Sequence, residues 1–250
     1  TWPDNGQPGV WRRFDSFSYY DGTDNPSQGL YKGYLWTVTL NEDDLSARAQ
    51  FTYKHDSVGN VTAVTDALGK TTTYNVNALN QVTQISSPEP TDGCGYQYHT
   101  TIGYDANSNV SKVKKENLDE NGVPIEDNPN ADGWITSAYE YDILNNLIRV
   151  EQDLECFECG SSEVTVYEYD RNRNLRNSHT VNSHPPDAIK YVYDERDLLF
   201  QSIRGQGDPA QSTDQYDYDL DGNRERRRTG VEDTAGAHET TYQWDAYGRL

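Results

Sequence analysis

One nine-residue pattern, Tyr-x-Tyr-Asp-x-x-Gly-Asn-Leu, recurs along the chain and constrains its fold more than any other feature. Its clearest forms are YEYDILNNL from Tyr139, YEYDRNRNL from Tyr167, YVYDERDLL from Tyr191, YDYDLDGNR from Tyr216 and YQWDAYGRL from Tyr242. Weaker forms precede them: YKHDSVGNV from Tyr53, YNVNALNQV from Tyr74 and IGYDANSNV from Ile102. The Asp position falls at 56, 77, 105, 142, 170, 194, 219 and 245, so the eight copies stand 21 to 37 residues apart. A period in the twenties, with insertions, marks an array of small supersecondary units.

The unit reads as a hairpin. Tyr-x-Tyr alternates, which puts both rings on one face of a strand. Asp then opens a type I turn, and the Gly position takes a left-handed backbone. This is the hairpin loop that ends in a bulge. A second strand follows, as in NVTAV, NVSKV and NLIRV. Its apolar residues sit three apart, as in Val61 and Val64 or Leu147 and Val150, where alternation would want two or four. A bulge explains that spacing, and so does burial on both faces.

A second set of turns, Asp66-x-x-Gly69, Asp119-x-x-Gly122 and Asp233-x-x-Gly236, interleaves with the first. The expected fold is therefore all-β, a repetitive antiparallel β-meander with strands of about five to seven residues. No window of ten or more residues keeps a helical apolar face. Residues 1–45 read as a degenerate opening repeat, with Tyr19-Tyr20-Asp21, a longer loop, and a strand near Tyr34 to Thr39. Residues 46–250 read as the array proper, with polar loop insertions near 115–134 and 154–164.

These motifs resemble the YD repeat, also called the RHS repeat. Similar arrays occur in bacterial rearrangement-hotspot proteins, toxin-complex B and C components, wall-associated proteins and teneurins. The resemblance covers about residues 46–250. It implies a β-sheet strip that spirals into part of a shell or barrel. In toxin members such a shell encloses a C-terminal passenger, and in teneurins it is a rigid ectodomain. The self-cleaving aspartate that ends such shells has no counterpart here.

Composition narrows the partners. The chain carries 21 basic and 41 acidic residues, a net charge of −20, which repels phosphate backbones and excludes nucleic acid as an expected partner. Hydrophobic residues are only 34%, but regular Tyr and β-branched runs argue against disorder. No 18-residue apolar run exists to span a membrane as a helix. The chain has no Met, and its last motif runs into Leu250, so a piece of a longer chain is expected.

The motifs that suggest chemistry each have a structural alternative. Asp217-x-Asp219-x-Asp221-Gly222 copies the first half of a calcium loop, but position twelve is Arg228, where that loop needs a bidentate Glu. NLDENG from Asn117 is a similar half-match. Cys156-x-x-Cys159 is half a zinc site, and Cys94 and five histidines are its only soft partners in the chain. A local disulfide or free thiols are the competing readings. The run RERRR from Arg224 reads as counter-charge to neighbouring acids. Asn60-Val-Thr62 and Asn109-Val-Ser111 match the glycosylation acceptor, though the repeat already accounts for both asparagines. Trp2, Trp11, Trp36, Trp134 and Trp244 offer a sugar-stacking face or, more simply, rungs of an aromatic ladder.

No catalytic constellation is assembled, so no catalytic, cofactor or metal residue is assigned, and calcium and zinc stay as the weak alternatives. The expected role is structural: a segment of a secreted or surface protein, most readily bacterial. It would pack against the rest of its own chain or copies of itself, and enclose a passenger. The alternative is an adhesin contacting glycans or a cell-surface protein.

Overall fold

A computed structural model describes residues 15–41, 48–88, 97–119, 123, 133–153, 162–181, 188–230, 238–245 and 248–249. The chain divides into two compact units, one of Thr1–Gly103, Lys114–Ile125 and Asp132–Trp134, the other of Tyr104–Val113, Glu126–Ala131 and Ile135–Leu250.

The first unit holds β1 (Ser16–Tyr19), β2 (Leu35–Leu40), β3 (Ala49–His55), β4 (Val61–Thr65), β5 (Thr71–Val76), β6 (Val82–Ser86) and most of β7 (His99–Tyr104). Each strand pairs antiparallel with the next in sequence. β8 (Val110–Glu116) contributes residues to both units. The second unit continues through β9 (Trp134–Tyr141), β10 (Leu147–Gln152), β11 (Glu163–Tyr169), β12 (Leu175–Val181) and β13 (Ile189–Tyr193). It ends with β14 (Leu199–Arg204), β15 (Ser212–Tyr218), β16 (Arg224–Thr229) and β17 (His238–Thr241). From β9 to β17 the pairing is again antiparallel and sequential. The all-β meander expected from the repeat is the fold. A single 3-10 turn, Pro26–Gln28, is the only helical element among the described residues.

The three-residue apolar spacing is explained by bulges. Leu147 stands opposite Tyr141 and Val150 opposite Tyr139, so Ile148 is the extra residue. Val61 likewise faces His55 and Val64 faces Tyr53, with Thr62 bulged. One slip after each turn therefore returns both apolar residues to the tyrosine side. The hairpins β5–β6, β11–β12, β13–β14 and β15–β16 repeat it.

The turn chemistry is as regular. In each of the eight turns the Asp-position amide (Asn77 in the second copy) donates to the carbonyl four residues on, and the amide three residues on donates back to its carbonyl. The residue at that third step has a positive φ, whether it is Gly59 and Gly222 or Asn80, Ser108, Asn145, Arg173 and Asp197. The Gly of the pattern is thus a preference, and polar residues meet the left-handed requirement at a steric cost. The Asp66–Gly69 turn forms in the same way. The Asp119 turn closes onto Val123, but Gly122 and the Asp233–Gly236 turn lie outside the described residues.

Little of this is sealed from water. Among the described residues only Ala63 and Tyr216 are buried apolar side chains, joined by Thr37, Thr39, His55 and Thr213. Cohesion therefore rests on ladder hydrogen bonds and a half-covered aromatic face, more than on a closed core.

Candidate functional site

The most highly organised chemistry lies along the turn edge, where successive repeats are joined. The second aromatic of each clear copy reaches back to the repeat before it. Tyr141 Oη donates to the Val110 carbonyl at 3.0 Å, and Tyr169 to Leu147, Tyr193 to Leu175 and Tyr218 to Leu199, each at 2.9 Å. Trp244 repeats the move with its indole Nε1, 2.8 Å from the Arg224 carbonyl. The acceptor is always the first residue after the preceding turn. Each staple is worth about 1 kcal/mol net, so five approach the lower end of the ~5–15 kcal/mol that holds a typical domain. Burial pushes the hydroxyl pKa of Tyr141, Tyr169 and Tyr193 up, and negative groups nearby add to it. These hydroxyls stay protonated and able to donate.

The turns form a second line of contact. Asp142 Oδ1 accepts from the amides of Leu144 and Asn146, while its Oδ2 accepts from the Asn146 carboxamide. Asp56, Asp105, Asp170 and Asp219 bind their own asparagines in the same way. These hydrogen bonds hold the carboxyls below the usual aspartate range. The side-chain bond dominates for Asp56, Asp105, Asp142 and Asp219, whereas a backbone amide dominates for Asp170. The same asparagines then reach the next turn. Asn60 donates to Asn80, Asn109 to Asn145 and Asn174 to Asp197.

Several sequence candidates fall on or beside this line. The carboxamide nitrogens of Asn60 and Asn109, which a glycan would need, are engaged within and between turns. The three acids of the half calcium loop are spent separately. Asp217 lies on β15 and takes Arg226 at 2.7 Å and Arg228 at 3.1 Å. Asp219 is folded into its turn, and Asp221 sits exposed at the tip. Among the described residues no three His, Cys, Asp or Glu side chains gather as a metal site. Cys94, Cys156, Cys159, most of the acidic loop after Asp119, Trp2 and Trp11 lie outside the described residues.

Three arginines of the basic run on β16, Arg226, Arg227 and Arg228, are cross-strand counter-charge, as their neighbours suggested. Arg227 meets Asp214 at 2.8 Å, and Arg226 also approaches Glu239 at 3.9 Å. The described tryptophans have different settings. Trp36 is exposed and edge-on to Tyr20, Trp134 lies beneath Lys114, and Trp244 is a staple.

The repeat itself matches a known family model. Residues 55–92 match the RHS Repeat family. That stretch carries an RHS repeat. The matched span holds the turns of the first two copies with β4, β5 and β6, and the later, clearer copies repeat the same sequence pattern. No curated protein matches. Among solved structures the fold resembles three crystal structures. TcdB2-TccC3-Cdc42 aligns with a TM-score of 0.61 at 13% identity, over 85% of this chain and 11% of that chain. TcdB2-TccC3-TEV aligns at 0.58 and 14% identity over 93% of this chain, and TcdB2-TccC3 at 0.58 and 15% over 92%. The chain spans 11% of the length of each of those chains, and the likeness is one of fold.

Two features of the array lay beyond sequence reading. The staple acceptors are backbone carbonyls 18 to 31 residues away, which leave no side-chain signature. The other is His55, at the second aromatic position of the first copy. Its amide donates to the Gly29 carbonyl at 2.9 Å, and its ring lies 5.2 Å from that of Tyr34. The long opening loop is thereby docked on the first hairpin.

Proposed function

We propose that this chain is a wall segment of a secreted bacterial RHS-repeat protein, with a structural rather than an enzymatic role. The wall encloses a passenger domain carried elsewhere in the protein. The observation that supports this reading is the recurring staple from each aromatic to the preceding repeat. It stiffens a thin sheet at every step without needing a second layer to pack on. A wall of this kind works by enclosure, and its cohesion does not depend on a sealed core. The test is limited proteolysis of the intact secreted protein, read by mass spectrometry. A segment that resists protease until denaturant opens the array supports enclosure. Equal cleavage of every segment outside the array, before and after opening, overturns it.

A second reading, as an adhesin, draws on Phe17, Tyr19 and Trp36, three exposed aromatics on β1 and β2. Binding to a glycan or cell surface that is lost in Phe17→Ala/Trp36→Ala, with melting unchanged, would favour display over enclosure.

A further inference from the structure

The seventh copy breaks the repeat at the residue that every other copy keeps apolar. The first residue after the turn is Val61, Val82, Val110, Leu147, Leu175, Leu199 and Leu250 in the other copies, but Arg224 in this one. The aromatic that staples it is also the one tryptophan at that position, Trp244. A cavity of about 420 Å³ opens where the two departures meet, lined by Tyr218, Gly222, Asn223, Arg224, Tyr242 and Trp244. Its size lies within the ~300–1,000 Å³ of small-molecule sites.

The charge in this cavity is unanswered. Arg226, Arg227 and Arg228 all have carboxylate partners, whereas Arg224 has no ion pair among the described residues. Its guanidinium rests 4.5 Å from the Tyr216 ring centroid, and its Nε, like those of Arg227 and Arg228, is buried with no hydrogen-bond acceptor. The nearest turn acids are occupied: Asp219 binds Asn223, and Asp245 pairs with Arg249 at 2.7 Å. Three of the remaining walls are rings, Tyr218, Tyr242 and Trp244, beside Gly222 and Asn223. Tyr218 and Trp244 have their polar atoms turned away to carbonyls, which leaves their π-surfaces for contact.

We propose that this cavity binds a small planar aromatic carboxylate, its ring stacked against Trp244 and Tyr242 and its carboxylate paired with the Arg224 guanidinium. The guanidinium fork matches a carboxylate and already stacks on an aromatic face. A neutral ring would leave the charge unanswered, and an aliphatic acid would forgo the rings.

The test is calorimetric titration of the purified chain with indole-3-carboxylate, and with indole-3-carboxamide, glucuronate and inorganic phosphate as comparators. The acid is expected to bind about tenfold or more tightly than its amide, and to weaken as salt is raised. Arg224→Leu, which restores the residue of four other copies, should abolish that preference and leave melting unchanged. Trp244→Tyr should weaken the acid and the amide alike. Equal binding of acid and amide overturns the proposal, as does an unchanged preference in Arg224→Leu. Glucuronate or phosphate binding as tightly as the aromatic acid also overturns it, because the rings would then contribute nothing. Should Arg224→Leu fail to fold, the acid-to-amide ratio in the unmodified chain decides alone.

Discussion

The two units are built from the same repeat but secured differently. In the second, the second-position aromatics of the last five copies, from Tyr141 to Trp244, each carry a donor that reaches the preceding copy. In the first, the first two copies have His55 and Val76 there, and neither carries a hydroxyl. The first hairpin is held instead by the loop of residues 20–34, through the Gly29 carbonyl and the Tyr34 ring. Where the repeat keeps its aromatic, a side chain replaces tertiary packing. Where it does not, a loop has to supply it.

The sharpest way to break this contrast is to remove hydroxyls from the second unit. Tyr169→Phe/Tyr193→Phe keeps both rings and deletes two staples, leaving the Leu147 and Leu175 carbonyls without those donors. The double variant should lose about 2–3 kcal/mol in urea unfolding, the sum of two ordinary bonds. A loss near zero would mean that the rings alone join the repeats. The first unit is probed through glycine. Gly59 has φ +97° and a Cβ there would stand 3.3 Å from the Tyr34 ring, whereas Gly69, at +79°, faces open space. Both alanine variants pay the left-handed cost of about 1–2 kcal/mol. Gly59→Ala should cost more than Gly69→Ala, and the excess measures the docked loop.

Acid should separate the units further. Burial lowers the His55 pKa below its ordinary 6.5, outweighing the opposite pull of Asp56. The folded state therefore prefers the neutral ring. That contribution is complete above pH 6.5 and is lost as pH falls through the lower folded value. Melting temperature measured from pH 7.5 down to 5 should fall, and His55→Tyr should flatten the fall. The turn aspartates act in a lower window. Their depressed pKa values confer stability that disappears only as pH drops below the aspartate range. The smallest expected effect is a gain. Ser108 has φ +70°, and its side chain has no hydrogen-bond partner among the described residues. Ser108→Gly should raise stability by about 0.5 kcal/mol, the steric relief less the added chain entropy.

Most of the fold was legible because its determinants are local. Tyr-x-Tyr set the face and Asp set the turn, while apolar residues three apart fitted a bulge or burial on both faces until the register decided for the bulge. What stayed hidden was non-local or borne by the backbone. No residue type marks the Leu175 carbonyl as the acceptor of Tyr193, and nothing in Tyr53-Lys54-His55 announces Gly29. Arg224 was visible as a charge but not as the one arginine of its strand without an acid partner among the described residues, because that depends on which residues stand opposite. Register puts Arg226 beside Asp217, Arg227 beside Tyr216 and Arg224 beside Tyr218.

The reach of the staples has a genetic consequence. None extends beyond the copy immediately before it, over separations of 31, 22, 18, 19 and 20 residues. A duplication of one whole copy by unequal recombination would bring its own aromatic and its own acceptor. Every other bond of this set would keep its partner. Array length can therefore drift between lineages without passing through a broken intermediate, whereas an insertion of half a copy would strand one donor and one carbonyl at once.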